Sequence, residues 1–234
     1  MNNIIDKTIK NYRYERKFHL TSLSFDSIEH IVSLHPAAFS EVFEERSVNN
    51  IYFDTNSLAN YFDNLDGVAK RKKTRIRWYG GLFGLIKDPI LEFKIKYGLV
   101  GKKLSYQVGP FNLYSHYKDS VLNSFDLFGH NSIPKNIKRE LENYNPMLIN
   151  SYKRKYFLSG DKKFRLTLDR NLMFYKTDKT LKTSGRISDD NSIIMELKYD
   201  ESNDLSAEKI TNLFPFRVTK SSKYIMGIQA TLAS

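Results

Sequence analysis

The sequence predicts an α+β fold that is mainly antiparallel β: a barrel of about eight strands with helices on its outside. Three observations predict it. Nine segments alternate in polarity with period two. Segments of helical period are fewer and lie between or after them. The polar parity of the strands is dense with Lys, Arg and Glu rather than Ser, Thr and Gln.

In chain order, Tyr12 to His19 opens as a strand with Arg13, Glu15 and Lys17 on one face and Tyr14, Arg16 and Phe18 on the other. Ser24 to Leu34 carries Phe25, Ile28, Ile31 and Val32 at helical spacing. Val48 to Asp54 is a strand and Leu58 to Asn64 a short helical turn. Lys73 to Tyr79 sets Arg75 and Arg77 against Ile76 and Trp78; Ile90 to Lys96 sets Glu92, Lys94 and Lys96 against Leu91, Phe93 and Ile95. Gly80 to Gly84 between them reads as a hairpin turn. Lys103 to Val108 is a further strand. Asp119 to Asn143 reads as two helices, with Pro134 in the first turn of the second. Ile149 to Leu158, Lys163 to Asp169, Leu172 to Lys176 and Ser192 to Tyr199 complete the strands. Thr177 to Asn191 is polar and reads as a loop; Leu205 to Leu213 and Ser222 to Leu232 close the chain as helices.

Composition bounds the class. Hydrophobic residues are 41% and aromatics 14% of 234 residues, enough for a packed core, so disorder is excluded. There is no cysteine, which excludes a disulfide scaffold, a Cys-ligated zinc and a thiol nucleophile, and fits a reducing compartment. No run approaches the ~18 apolar residues of a membrane span, and the opening residues lack a signal-peptide core, so a cytoplasmic location is expected. Lys+Arg 37 against Asp+Glu 26 gives +11, which asks for an anionic partner.

Where the charges lie narrows that partner. On any single strand a solvated outer face explains them. Taken together, with Glu-x-Lys recurring at Glu15/Lys17, Glu92/Lys94 and Glu196/Lys198 and with amphipathic helices that need an apolar sheet face to cover, they favour a barrel with a charged lumen. Lys17, Arg75, Arg77, Lys94, Arg154, Arg165 and Lys198 would then share one hollow with Glu15, Glu92, Asp169 and Glu196, too few carboxylates to neutralise them. A polyanion resolves the surplus, since Arg grips phosphate bidentately and Lys as a point charge. The carboxylates suit a divalent cation bridging phosphate oxygens. Glu15 and Glu92 divide evenly between such a role and holding Lys17 and Lys94 in place. Lys70 to Lys73 read as a solvated run at the mouth, and Phe53 and Trp78 as packing residues.

At these residues the chain resembles the VTC domain, the catalytic domain of vacuolar transporter chaperone-type polyphosphate polymerases, within the triphosphate tunnel metalloenzyme (CYTH-like) superfamily. The motifs run in order: R-Y-E-R-K-F from Arg13, N-I-Y-F-D-T from Asn50, R-I-R-W-Y-G from Arg75, L-E-F-K from Leu91, S-Y-K-R-K-Y from Ser151, F-R-L-T-L-D from Phe164, M-E-L-K from Met195 and T-K-S-S-K-Y from Thr219. The resemblance implies a closed eight-stranded tunnel formed by one domain over residues 1–234. It implies an ATP- and polyphosphate- or pyrophosphate-binding phosphotransferase that moves the γ-phosphate of ATP to a growing polyphosphate chain. It assigns phosphate contacts to Lys17, Arg75, Arg77, Lys94, Arg154, Arg165 and Lys198, further substrate contacts to Lys103, Lys220, Ser222 and Lys223, and a metal-ligand role to Glu196; from the charge pattern above, Glu15 is the second candidate ligand of that Mn²⁺ or Mg²⁺. Arg13 stands where the wider superfamily has a first glutamate, which resembles the VTC branch more than the hydrolytic one. The alternatives are a tripolyphosphate or nucleoside triphosphate hydrolase of the same fold and a non-catalytic polyphosphate binder, the latter assisting a membrane-protein partner. Nucleic acid is not expected.

Overall fold

A computed structural model of the chain describes residues 13–98, 100–113, 133–177 and 183–233. β1 (Arg13–Leu20), α1 (Phe25–Ser33), β2 (Ser40–Asp54), α2 (Ala59–Leu65), β3 (Lys70–Tyr79) and β4 (Gly84–Ile86) come first. β5 (Ile90–Tyr97), β6 (Val100–Gln107), β7 (Phe111–Leu113), α3 (Lys135–Leu141) and β8 (Asn145–Leu158) follow. β9 (Arg165–Thr177), β10 (Thr183–Asp189), β11 (Ile193–Asp200), α4 (Asp204–Asn212) and α5 (Lys223–Leu232) end the chain.

One antiparallel sheet runs β1-β11-β9-β8-β2-β3-β5-β6, with β10 added to β9; β4 and β7 form a separate pair. The sheet is strongly curled. A carboxylate on the first strand of that order, Glu15, touches Lys94 on the seventh at 2.6 Å. The expected closed barrel is nevertheless not formed among the described residues, because no ladder joins β1 to β6. Part of the free edge of β1 is taken instead by the segment that leads into α5. Thr219 donates its backbone N–H to Lys17 O at 2.7 Å, and its hydroxyl accepts from the His19 N–H at 2.9 Å. These two backbone groups of the β1 edge are thereby paired with this segment and not with β6.

The convex face is apolar, as parity requires. Phe18, Leu166, Leu168, Met195 and Leu197 pack beneath Ile28 and Val32 of α1 and Ala207 of α4. Ile51, Ile76, Trp78, Leu91 and Phe93 pack beneath the β4–β7 pair and Leu141 of α3. On the concave face, α5 seals one end, setting Tyr224 and Ile228 against Val48, Tyr52, Leu148, Tyr152 and Phe174. Buried Asp54 ties this plug in place. Its carboxylate accepts from the backbone N–H groups of Asn60 and Tyr61 at the start of α2 and from the Tyr224 hydroxyl at 2.6 Å.

Several expectations are corrected. Leu172 to Lys176 continues the strand before it as one β9, interrupted in pattern by Asn171 at φ +52°. The polar stretch read as a loop contains β10, which pairs Ile187 with Phe174 along an edge that tolerates Ser and Asp facing water. Its only apolar residue gives period-two analysis little to detect. Gly80 to Gly84 leads into β4, which pairs with β7, rather than folding onto the next strand of the main sheet. α3 begins after Pro134, and the rest of the helical stretch expected from Asp119 lies outside the described residues. No described helix is long and apolar enough to cross a membrane.

Candidate functional site

The inward parity of the eight strands in that order supplies a continuous lattice of charged and polar side chains. Cross-strand pairs set Lys17 against Glu196, Glu15 against Lys198 and Lys198 against Arg165. They set Arg154 against Asp169, Tyr52 against Arg75 and Asn50 against Arg77. Arg75 faces Glu92, Lys73 faces Lys94 and Lys94 faces Lys103. Each partner sits about 5 Å away by sheet geometry alone, so the cations converge before any ligand is considered.

The carboxylates are all engaged. Glu92 takes both Arg75 Nε and Nη2 at 2.9 and 2.6 Å and Lys103 Nζ at 2.8 Å. Asp169 takes Arg154 Nε and Nη2 at 2.5 and 2.6 Å and Lys223 Nζ at 2.5 Å. Glu196 holds Lys17 at 3.0 Å and Lys198 at 2.8 Å. Glu15 holds Lys94 and stands 3.7 Å from Lys17. Burial alone would favour the neutral acids, but the facing ammonium and guanidinium groups outweigh it. Glu15, Glu92, Asp169 and Glu196 are all held below the ordinary carboxylate range.

The cations remain in surplus, and two lysines register it. Burial pushes Lys94 down to about 8 despite its bond to Glu15. Burial, then the neighbouring Lys17 and Lys94, push Lys73 well down. Lys73 is not the solvated lysine expected from the sequence. It points into the hollow and donates to Ser222 Oγ at 2.8 Å. Its parity with Arg75 and Arg77 is the signal that finds it. Asn50 and Tyr152 were also missed; they accept from Arg77 at 2.9 and 3.1 Å. Three buried donors on or beside this face have no acceptor: the Thr167 and Ser221 hydroxyls and the Asn150 amide. Surplus cations and orphan donors are groups whose charge and hydrogen-bonding capacity an oxyanion would satisfy.

Among the sequence-assigned residues, Lys17, Arg75, Arg77, Lys94, Arg154 and Lys223 meet in the hollow. Ser222 caps α5, accepting from the Ile225 N–H, with Lys17 reaching the neighbouring Ser221 carbonyl at 3.4 Å. Lys198 is half-exposed toward one end. Arg165 and Lys103 are exposed at the rims, and Lys220 points to solvent. For a divalent cation the donor set is limited. No three His, Asp or Glu side chains converge among the described residues. Glu15 and Glu196 fit a Mg²⁺ or Mn²⁺ that draws most of its ligands from phosphate and water, the habit of Mg²⁺ at phosphoryl sites, and do not make a cage on their own.

The family model described as the VTC domain matches residues 12–232. Among solved structures, the chain is similar to an adenylate cyclase candidate from Vibrio parahaemolyticus, with 14% identity over 91% of this chain and 97% of that one at TM-score 0.48. It is also similar to a protein from Pyrococcus horikoshii OT3, with 10% identity over 93% and 98% at TM-score 0.45. A comparison with curated proteins returns no match.

Proposed function

The chain belongs to the VTC domain family, and on that footing we propose that its hollow binds a chain of phosphates and transfers the γ-phosphoryl group of ATP to the end of polyphosphate, releasing ADP. The observation that carries the reading is the concave face itself, where Lys17, Lys73, Arg75, Arg77, Lys94, Arg154 and Lys223 converge on four carboxylates already paired. Unpaired like charge in a partly dry cavity is costly, and a polyphosphate removes the cost along its whole length.

In the transfer, the terminal oxygen of the acceptor chain attacks the γ phosphorus. The bond from that phosphorus to the bridging oxygen breaks, and ADP leaves with the electron pair. An anionic phosphate needs no general base, so positioning and charge neutralisation carry the step. Arg75, Arg77 and Arg154 are fixed by carboxylate or tyrosine partners and are suited to hold phosphoryl oxygens in line. Lys17, Lys94 and Lys223 follow as mobile point charges. A Mg²⁺ or Mn²⁺ on Glu196 and Glu15 would supply further neutralisation of phosphate charge. Transfer is favoured over hydrolysis because Glu92, a carboxylate that would orient a water, has one oxygen on Arg75 and the other on Lys103, while Glu15 is given to the metal. The test is incubation of the full chain with ATP and Mn²⁺ or Mg²⁺, followed by a polyphosphate gel. Long chains with stoichiometric ADP are expected. Free phosphate without chains replaces the polymerase by a hydrolase, and binding without turnover replaces it by a binder.

A further inference from the structure

One mouth of the hollow holds aromatic side chains in water. β2 pairs with β8 through Phe43 to Tyr156 and Arg46 to Arg154, with a register shift between the two pairs. Such a bulge resets parity. Phe43 thereby joins Arg46 beside Tyr156, although an odd and an even position would otherwise face apart. The rings of Phe43 and Tyr156 meet edge-on at 5.9 Å. The Arg46 guanidinium carbon lies 4.9 Å from the Phe43 centroid and 5.9 Å from that of Tyr156. Tyr79, at the end of the strand that carries Arg75 and Arg77, belongs to the same rim. Phe43 is 53% and Tyr79 51% exposed.

The same cluster leads inward. The Arg154 guanidinium carbon is 6.0 Å from the Tyr156 ring on the deeper side. Thr167, the cross-strand neighbour of Tyr156 and of Glu196, is only 6% exposed and its hydroxyl is one of the orphan donors. From outside to inside the order is therefore an aromatic face with a free hydroxyl beside it at the Tyr156–Thr167 pair, the Arg154 guanidinium one inward position further on, and Lys223 over the Tyr152 ring beyond that. Water gains nothing from an exposed Phe on a cationic rim, whereas a flat aromatic ligand joined to an anion matches this order group for group.

We propose that Phe43, Tyr156 and Arg46 form a nucleobase subsite, so that the hollow takes a nucleoside triphosphate with its base at this mouth and its phosphates running inward past Thr167 and Arg154. Base–aromatic and base–guanidinium stacking supply the contact. The inference rests on the reading that the hollow binds phosphates, and it distinguishes a nucleotide donor from inorganic triphosphate.

The experiment is calorimetric titration of the full chain with ATP and, separately, with inorganic triphosphate, for the wild type, Phe43→Ala and Arg46→Lys. Both side chains are exposed, and the lysine keeps the rim charge, so a circular dichroism melt should show the fold retained. The expected result is a loss of ATP affinity of roughly tenfold in Phe43→Ala, with a smaller loss in Arg46→Lys, and unchanged affinity for triphosphate. Equal affinities for ATP across the three proteins, or equal losses for both ligands, overturn the subsite while leaving phosphate binding intact. A wild type that binds neither ligand overturns the phosphate reading and the subsite together.

Discussion

Lys94 shows how a single side chain reports the state of the whole hollow. It faces Lys73 on one neighbouring strand and Lys103 on the other, and its bond to Glu15 offsets only part of the cost of burial. Its ammonium therefore loses its proton near pH 8 rather than in the usual lysine range. The sign for ligand binding follows. Below pH 8 Lys94 is charged and attracts phosphate; above it the group is neutral and that attraction is lost. Inorganic triphosphate affinity should accordingly fall as pH rises from 7 to 9. The ligand's own deprotonation pulls the opposite way, which makes a fall diagnostic. Lys94→Arg, charged throughout this range, should flatten the profile when measured by titration calorimetry at matched ionic strength. An unchanged slope in Lys94→Arg would assign the titration to another group. Period-two parity alone makes Lys94 legible in the sequence. The shared depth of Lys73, by contrast, is hidden by its place in a run of four basic residues, Lys70 to Lys73, that mimics a solvated strand end.

At the scale of elements, α5 decides how deep the hollow is, and one glycine decides where α5 sits. A Cβ at Gly227 would lie 2.4 Å from Leu148 Cδ2 and 2.6 Å from Phe174 Cδ1, both buried side chains of the sheet. Gly227→Ala gains about 1 kcal/mol of helix propensity, but overpacking a closed site costs about 1–3 kcal/mol. Neither clashing group is the free end of a flexible chain, so the steric cost should prevail. The variant is expected to unfold at a temperature a few degrees lower. It should also bind triphosphate more weakly, because a displaced α5 carries Ser222 and Lys223 with it. Equal melting temperatures would mean that the helix can slide without cost. The helix itself is legible in the sequence from its apolar spacing and Ser222 cap. Its docking on the concave face is not, because Tyr224 and Ile228 read as ordinary core residues of any covering helix. β4, β7 and β10 escaped detection or typing for a related reason: three residues, or seven with one large apolar side chain, give period-two analysis too little to act on. The bulge that turns Phe43 inward has no signature in composition at all.

For the whole molecule, the sheet, its helices and its charge balance pose one question: what state the hollow prefers. The strand order leaves β1 and β6 unpaired with one another, so the two edges of the sheet are drawn together by ion pairs such as Glu15 to Lys94 and by the segment before α5, which binds β1 through Thr219 and β3 through Ser222 and Lys73. The lining opposes this arrangement, since its cations outnumber its carboxylates and are screened from bulk salt better than surface charges are. A ligand that supplies negative charge along the whole cavity should act on stability and not only on occupancy. At a concentration of 100 times its dissociation constant, a ligand bound only by the folded state contributes about 2.7 kcal/mol. For a chain of this length that is roughly 5–10 °C in melting temperature. Tripolyphosphate should produce such a rise. Orthophosphate at the same total phosphorus and ionic strength should not, because separate ions each meet their own cost of immobilisation while one chain spans Arg154, Lys17 and Arg75 in a single binding event. The comparison is a pair of melts followed by circular dichroism. Equal shifts with the two salts would mean that the protein responds to anions as any basic surface does, and would remove the connected phosphate chain from the account of this fold.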